Sequence, residues 1–171
     1  TQADIQALKY KTIANANNAT AANITWTVKD NGGVGTDTLT ETLSVTVTPV
    51  NDVPVRTAGT PVTITVDEDS ANSTAVSLGL SSYTYGVGGG SDENTQSLTT
   101  YTITNIPSSI TLWKSGGVNA VTSGTTLTLT ELQNLQYKTI ANAFNSTAQN
   151  ITWTVKDNGG GATDTLTENL S

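Results

Sequence analysis

The chain has 171 residues, 14 acidic against 7 basic, for a net charge of −7, and it contains no Cys, His or Met. Those absences exclude disulfide frameworks, Cys/His zinc centres, Cys nucleophiles and His-based triads. The acidic balance argues against nucleic acid and anionic lipid as partners and leaves divalent cations as ligands, and no apolar run reaches the ~20 residues of a membrane helix.

Taken in chain order, residues 3–8 read as a single helical turn. Ile24, Trp26 and Val28 share one parity, which predicts a strand with Trp26 in a core. Asp30-Asn31-Gly32-Gly33 is a turn signal, and residues 43–48 (LSVTVT) alternate apolar and polar. Residues 48–54 (TPVNDVP) carry two prolines, which lock φ and remove ladder donors, so this stretch reads as a stiff connector. Strand patterns follow at 61–66 (PVTITV), 101–104 (YTIT), 126–130 (TLTLT) and 151–155 (ITWTV). Turns fall at 86–93, 115–117 and 157–160, and a second helical turn, begun by a Thr cap, falls at 130–135. Thr, with 35 residues about a fifth of the chain, occupies the solvated face of these strands because its β-branched side chain fits a pleated surface. Strands separated by turns every ten or so residues predict an all-β sandwich.

The chain also repeats itself. Residues 3–44 align without a gap on residues 130–171 at an offset of 127, with 31 of 42 positions identical. The chain is therefore a window on a tandem array, with a period that suits beads rather than solenoid units. Cutting at the connector makes residues 1–50 the C-terminal half of one repeat. Residues 51–171 are then the next repeat, nearly complete but lacking its last strand, because Ser171 aligns with Ser44. A half-sandwich is not expected to fold alone, and a sandwich short of a strand exposes an open edge. Either the chain is a window of a longer polypeptide, or neighbouring copies complete one another by strand exchange.

The run Trp26-Thr27-Val28-Lys29-Asp30-Asn31-Gly32-Gly33, then Val45-Thr46-Val47-Thr48-Pro49-Val50-Asn51-Asp52-Val53-Pro54 and the following Val66-Asp67-Glu68-Asp69-Ser70, resembles the bacterial cadherin-like tandem repeats of giant surface proteins and RTX-type adhesins. The resemblance covers both C-terminal halves, the connector and the first strand; residues 80–124 match only in strand character. It implies tandem cadherin-like (Ig-like, Greek-key) β-sandwiches, with one short helical turn per repeat. It also implies an extracellular, cell-surface rod rigidified by Ca2+. Ca2+ takes six to eight hard oxygens. At a junction the expected donors are Asp30 and Asp37 from one repeat, Asn51 and Asp52 from the connector, and Asp67, Glu68 and Asp69 from the next. Asp157 and Asp164 would serve the following junction. The connector Pro49-Val50-Asn51-Asp52-Val53 lacks one carboxylate and one amide of the animal cadherin linker, which points to one ion or none. Without a metal, the same residues make ordinary turns and solvated strand ends.

Glu41 and Glu168 share parity with core-facing Leu residues, which a bulge or an edge-strand charge would explain. Trp113, and Tyr83 and Tyr85 beside the glycine-rich loop, are candidate sugar-stacking platforms or simply packing. Carboxylates, Lys, Tyr and Ser/Thr are the available catalytic groups, but the carboxylates cluster at turns, so no enzyme is expected. The leading expectation is a non-catalytic stalk of a large repetitive adhesin, whose partners are neighbouring repeats. The alternatives are a filament or surface-layer subunit joined by β-strand complementation, and a carbohydrate-binding adhesive module taking cell-surface or matrix glycans.

Overall fold

Alternating Thr with Val, Ile and Leu gives each strand one polar and one apolar face. In the computed structural model, which describes residues 1–32 and 37–171, such segments pair into antiparallel sheets with very little helix, an all-β fold. The chain divides into two compact units: Thr1–Val50 with Gly90–Asn94, and Asn51–Gly89 with Thr95–Ser171.

The first unit contains helix α1 (Gln2–Gln6), strands β1 (Ala22–Lys29) and β2 (Thr38–Val45), and most of a 3-10 turn at Ser91–Thr95. Thr1 caps α1 by accepting from the Asp4 N–H, while the Asp4 carboxylate reaches back to the Thr1 amine. β1 and β2 pair in unbroken register from Ala22–Val45 to Lys29–Thr38. Nearly every residue of the two strands is exposed, including Ile24, Val28, Leu39 and Leu43.

The second unit opens with β3 (Val55–Ala58), β4 (Val76–Ser77) and β5 (Thr84–Gly86), followed by β6 (Leu98–Asn105), β7 (Ile110–Trp113), β8 (Ala120–Val121) and β9 (Thr126–Leu127). It closes with helix α2 (Leu129–Gln133), β10 (Gln136–Thr139), β11 (Ile151–Asp157) and β12 (Thr165–Leu170). Two four-stranded sheets result, ordered β4-β10-β7-β8 and β12-β11-β6-β9, with β3 and β5 as a separate ribbon. Both sheets contribute to one core: Leu112, Val121 and Tyr137 from the first, Ile103, Leu127, Trp153, Val155 and Leu170 from the second. Leu132 and Leu135, on and just after α2, complete it.

The helical turns lie at equivalent places in the two copies, because 2–6 and 129–133 differ by the same 127 residues. The cap of α2 is Thr128 rather than Thr130. Its hydroxyl accepts from the Glu131 N–H at 3.2 Å and Glu131 accepts from the Thr128 N–H at 2.8 Å. This reciprocal box fixes the helix start and cuts short the strand expected over 126–130. Residues 61–66, expected as a strand, are not in one; Ile64 donates to the Ser171 carbonyl at 2.8 Å. Strand alternation persists there without a strand long enough to pair with it.

Glu168 is the clearest departure from the sequence expectation. β12 runs unbroken against β11, with Glu168 opposite Trp153, so no bulge turns it outward. β12 is an edge strand, yet the carboxylate is not there merely as a repelling charge: it pairs with Arg56 of β3 at 2.8 Å, both side chains being largely buried. The Arg56 guanidinium also lies 5.3 Å from the centroid of the Tyr83 ring, a favourable cation–π placement. Tyr83 meets Trp153 edge to face at 6.1 Å, and the Trp153 indole N–H donates to the Tyr85 hydroxyl at 3.0 Å. Burial pushes the Tyr85 phenol well above its ordinary pKa. Both tyrosines are thus packing residues. Trp113 has Lys138 Nζ 4.5 Å from its ring centroid and donates to Thr111 Oγ1 at 2.9 Å.

The two copies put nearly the same sequence in opposite environments. Leu8 is 71% exposed and its equivalent Leu135 0%; Tyr10 is 83% exposed and Tyr137 4%. Ile24 and Val28 are exposed where Ile151 and Val155 are buried, and half-buried Trp26 corresponds to fully buried Trp153. Trp153→Ala should therefore cost the second unit about 3–5 kcal/mol. Trp26→Ala should leave the same transition within about 0.5 kcal/mol. Urea denaturation of the two variants measures both.

Candidate functional site

The end of β11 collects buried oxygens. Asp157, the last residue of β11, is 1% exposed. It shares the inward parity of Ile151, Trp153 and Val155 along β11, and a register shift falls between Lys156 and Asp157 in the pairing with β6. Its N–H donates to the Asp164 carbonyl at 3.0 Å, closing the β11–β12 loop. One carboxylate oxygen, Oδ1, accepts from the Gly159 N–H at 2.9 Å, an Asx-type turn. The other, Oδ2, is buried with no hydrogen-bond partner among the described residues. A buried carboxylate oxygen without a partner is costly, and such groups call for an explanation.

Two amides share this neighbourhood. Asn51 donates through Nδ2 to the Thr163 carbonyl at 3.0 Å, and the Thr163 hydroxyl donates to the Asn51 carbonyl. These bonds tie the start of the second unit to its β11–β12 loop and aim the side-chain oxygen inward. Asn51 Oδ1 is buried and has no partner among the described residues, and the same holds for Gln96 Oε1. Gly159 shows how close they lie. A Cβ there would stand 1.5 Å from Asn51 Oδ1 and 2.5 Å from Gln96 Oε1, so no residue with a side chain fits without displacing them. The adjacent Asn158 Oδ1 accepts from the Ser97 N–H at 2.8 Å, which anchors the loop to the segment bearing Gln96. Asn51, Gln96 and Asp157 thus present hard oxygens that the protein itself leaves unpaired.

The expected junction residues are distributed differently. Asn51 lies beside the β11–β12 loop of its own unit, tied to Thr163 and close to Gly159. Asp52, half-buried, follows it. Asp67, Glu68 and Asp69 are exposed and form a separate turn, in which the Ser70 hydroxyl donates to the Asp67 carbonyl at 2.7 Å. Asp69, at φ 65°, accepts from the Asn142 N–H at 3.0 Å. Asp30 and Asp37 close the β1–β2 loop of the first unit, where Asp30 Oδ1 accepts from the Gly32 N–H at 2.8 Å and Asp37 pairs with Lys29 at 3.0 Å. Among the described residues no cluster of three or more Asp, Glu, His or Cys is placed to hold a metal. The unpartnered oxygens of Asn51, Gln96 and Asp157 belong to one carboxylate and two neutral amides. Gln96 carried no signal in the sequence, being one polar residue in a polar stretch. Asp157 was legible as a turn residue and an expected cation ligand, but the tie between Asn51 and the β11–β12 loop was not.

Compared with protein-family profiles, curated proteins and solved structures, the chain gives no match.

The loop that holds Asp157 also carries a charge clamp. Asp164 accepts from the Thr165 hydroxyl at 2.7 Å and pairs with Lys156 at 2.9 Å; together these hold its carboxyl below the usual carboxylate pKa. A depressed folded-state pKa stabilises the fold above the unfolded value, near 4, and the contribution is lost as pH falls through the folded value. The melting-temperature gap between wild type and Lys156→Met should therefore be open at pH 6 and close below about pH 4. Thermal melts across that range measure it.

Proposed function

We propose that the chain is a segment of a non-catalytic stalk in a large repetitive extracellular surface protein, built from tandem cadherin-like β-sandwiches. The observation that carries this reading is the repeat itself: 31 identities in 42 aligned positions at a period of 127. A catalytic site gains little from such duplication, whereas a spacer gains reach with every copy. Two four-stranded antiparallel sheets around one core support the Ig-like, Greek-key sandwich assignment, and the proline-bearing connector supports a stiff join between beads.

Calcium belongs to this reading through Asn51, Gln96 and Asp157. Their unpartnered oxygens fit a hard cation, with further ligands from backbone or water. Bound there, Ca2+ would supply the positive charge that Asp157 Oδ2 lacks. Asn51, first residue of the second unit, would then fix the connector to the β11–β12 loop. The partners in this reading are neighbouring repeats.

Two measurements test it. Arrays of two, three and four periods should gain an equal step in maximum dimension per period by small-angle X-ray scattering; collapse into globules would overturn the stalk. Separately, millimolar Ca2+ should raise the melting temperature of the chain relative to EDTA, by on the order of 10 °C if the ion stands 100-fold above its Kd. Asp157→Asn should abolish most of that rise. A transition unmoved by the ion removes calcium from the reading and leaves the stalk to its dimensions.

A further inference from the structure

Beside residues 61–66 the second unit has a cavity of about 350 Å3, lined among others by Ile64, Val66, Tyr137, Asn145 and Leu170 and reaching Ser171. Its edge is partly made: the Ile64 N–H already donates to the Ser171 carbonyl at 2.8 Å. Val66 and Phe144 of its lining nevertheless stand exposed.

The first copy shows what the equivalent place holds. Asn18, which aligns with Asn145, grips the segment that follows β2 with three hydrogen bonds. Its N–H donates to the Val47 carbonyl at 3.0 Å, its Oδ1 accepts from the Val47 N–H at 2.7 Å, and its Nδ2 donates to the Val45 carbonyl at 3.0 Å. In the second copy the same amide, Asn145, donates to Ser109 Oγ at 2.6 Å. Ser171 aligns with Ser44, the residue immediately before Val45.

We propose that this cavity is a strand-receiving groove whose occupant is an extended Val-Thr-Val-Thr segment entering in line with β12, gripped by Asn145 on one side and paired with residues 62–66 on the other. The alternation of 61–66 is then explained: it is the pattern of a strand whose ladder partner is this segment. The occupant must be extended and alternately β-branched, so that one set of side chains enters the cavity while its backbone meets the Asn145 amide. The groove goes beyond the stalk reading and does not depend on calcium.

The test extends the full chain after Ser171 by Val-Thr-Val-Thr-Pro-Val, with Gly-Ser-Gly-Ser-Gly-Ser as the control, both in EDTA. The patterned extension should raise the melting temperature by roughly 5 °C and slow amide hydrogen exchange across residues 62–66, and the control should do neither. In the extended chain Asn145→Ala should remove most of the gain; in the unextended chain, where Asn145 is exposed, it should shift melting by about 1 °C at most. Equal behaviour of the two extensions would overturn the proposal. So would stabilisation by a free Ser-Val-Thr-Val-Thr-Pro-Val peptide with none from the extension, which would place the occupant on another molecule.

Discussion

In the second unit the indole of Trp153, closed to solvent, meets groups from several strands at once. Its N–H is satisfied by Tyr85 of β5, its ring meets Tyr83 in an edge-to-face pair, and its ladder neighbours are Ile103 of β6 and Glu168 of β12. Through these contacts the β3–β5 ribbon is bound to the sheet β12-β11-β6-β9. Arg56 completes the arrangement, since it both neutralises Glu168 and covers Tyr83. A carboxylate facing a core is tolerable only when paired, so the only arginine in the chain is what lets Glu168 sit opposite Trp153.

Repetition supplies a control that few chains carry within themselves. β1 and β2 copy β11 and β12 almost residue for residue and adopt the same register, Trp26 opposite Glu41 as Trp153 is opposite Glu168. Hairpin register is therefore local: it follows the alternation of the two strands and needs no second layer. Burial is not local. Leu135 and Tyr137 are buried because Leu112 of β7 and residues of the 78–83 segment belong to the same core, and Leu8 and Tyr10 are exposed without such a layer. One ribbon with a dry face and no second layer does not make a core.

The buried oxygens at the end of β11 follow from the same constraint. Asp157 is buried because β11 is a central strand and its end is held against β6. Its equivalent Asp30, at the end of a strand with a single neighbour, is exposed. The unpaired oxygens of Asn51, Gln96 and Asp157 are thus a product of packing, and Gly159 is the small residue that lets the two amide oxygens approach.

The sequence by itself determined the repeat, the all-β character, the two strands at the C-terminal side of each copy and the approximate places of the two helical turns, because each is written in local periodicity; the caps at Thr1 and Thr128 were placed by the structure. Parity marked Trp26 and Trp153 alike as core residues, and only Trp153 is closed to solvent, because only its sheet has a second layer over it. Tertiary structure decided the rest. It chose Arg56 as the partner of Glu168, across 112 positions, and left residues 61–66 outside the ladders despite their pattern. It brought Asn51 to the β11–β12 loop of its own unit and kept Asp69 in a separate turn with Asn142. Those outcomes depend on which segments meet, and nothing in a segment's own alternation specifies its neighbour.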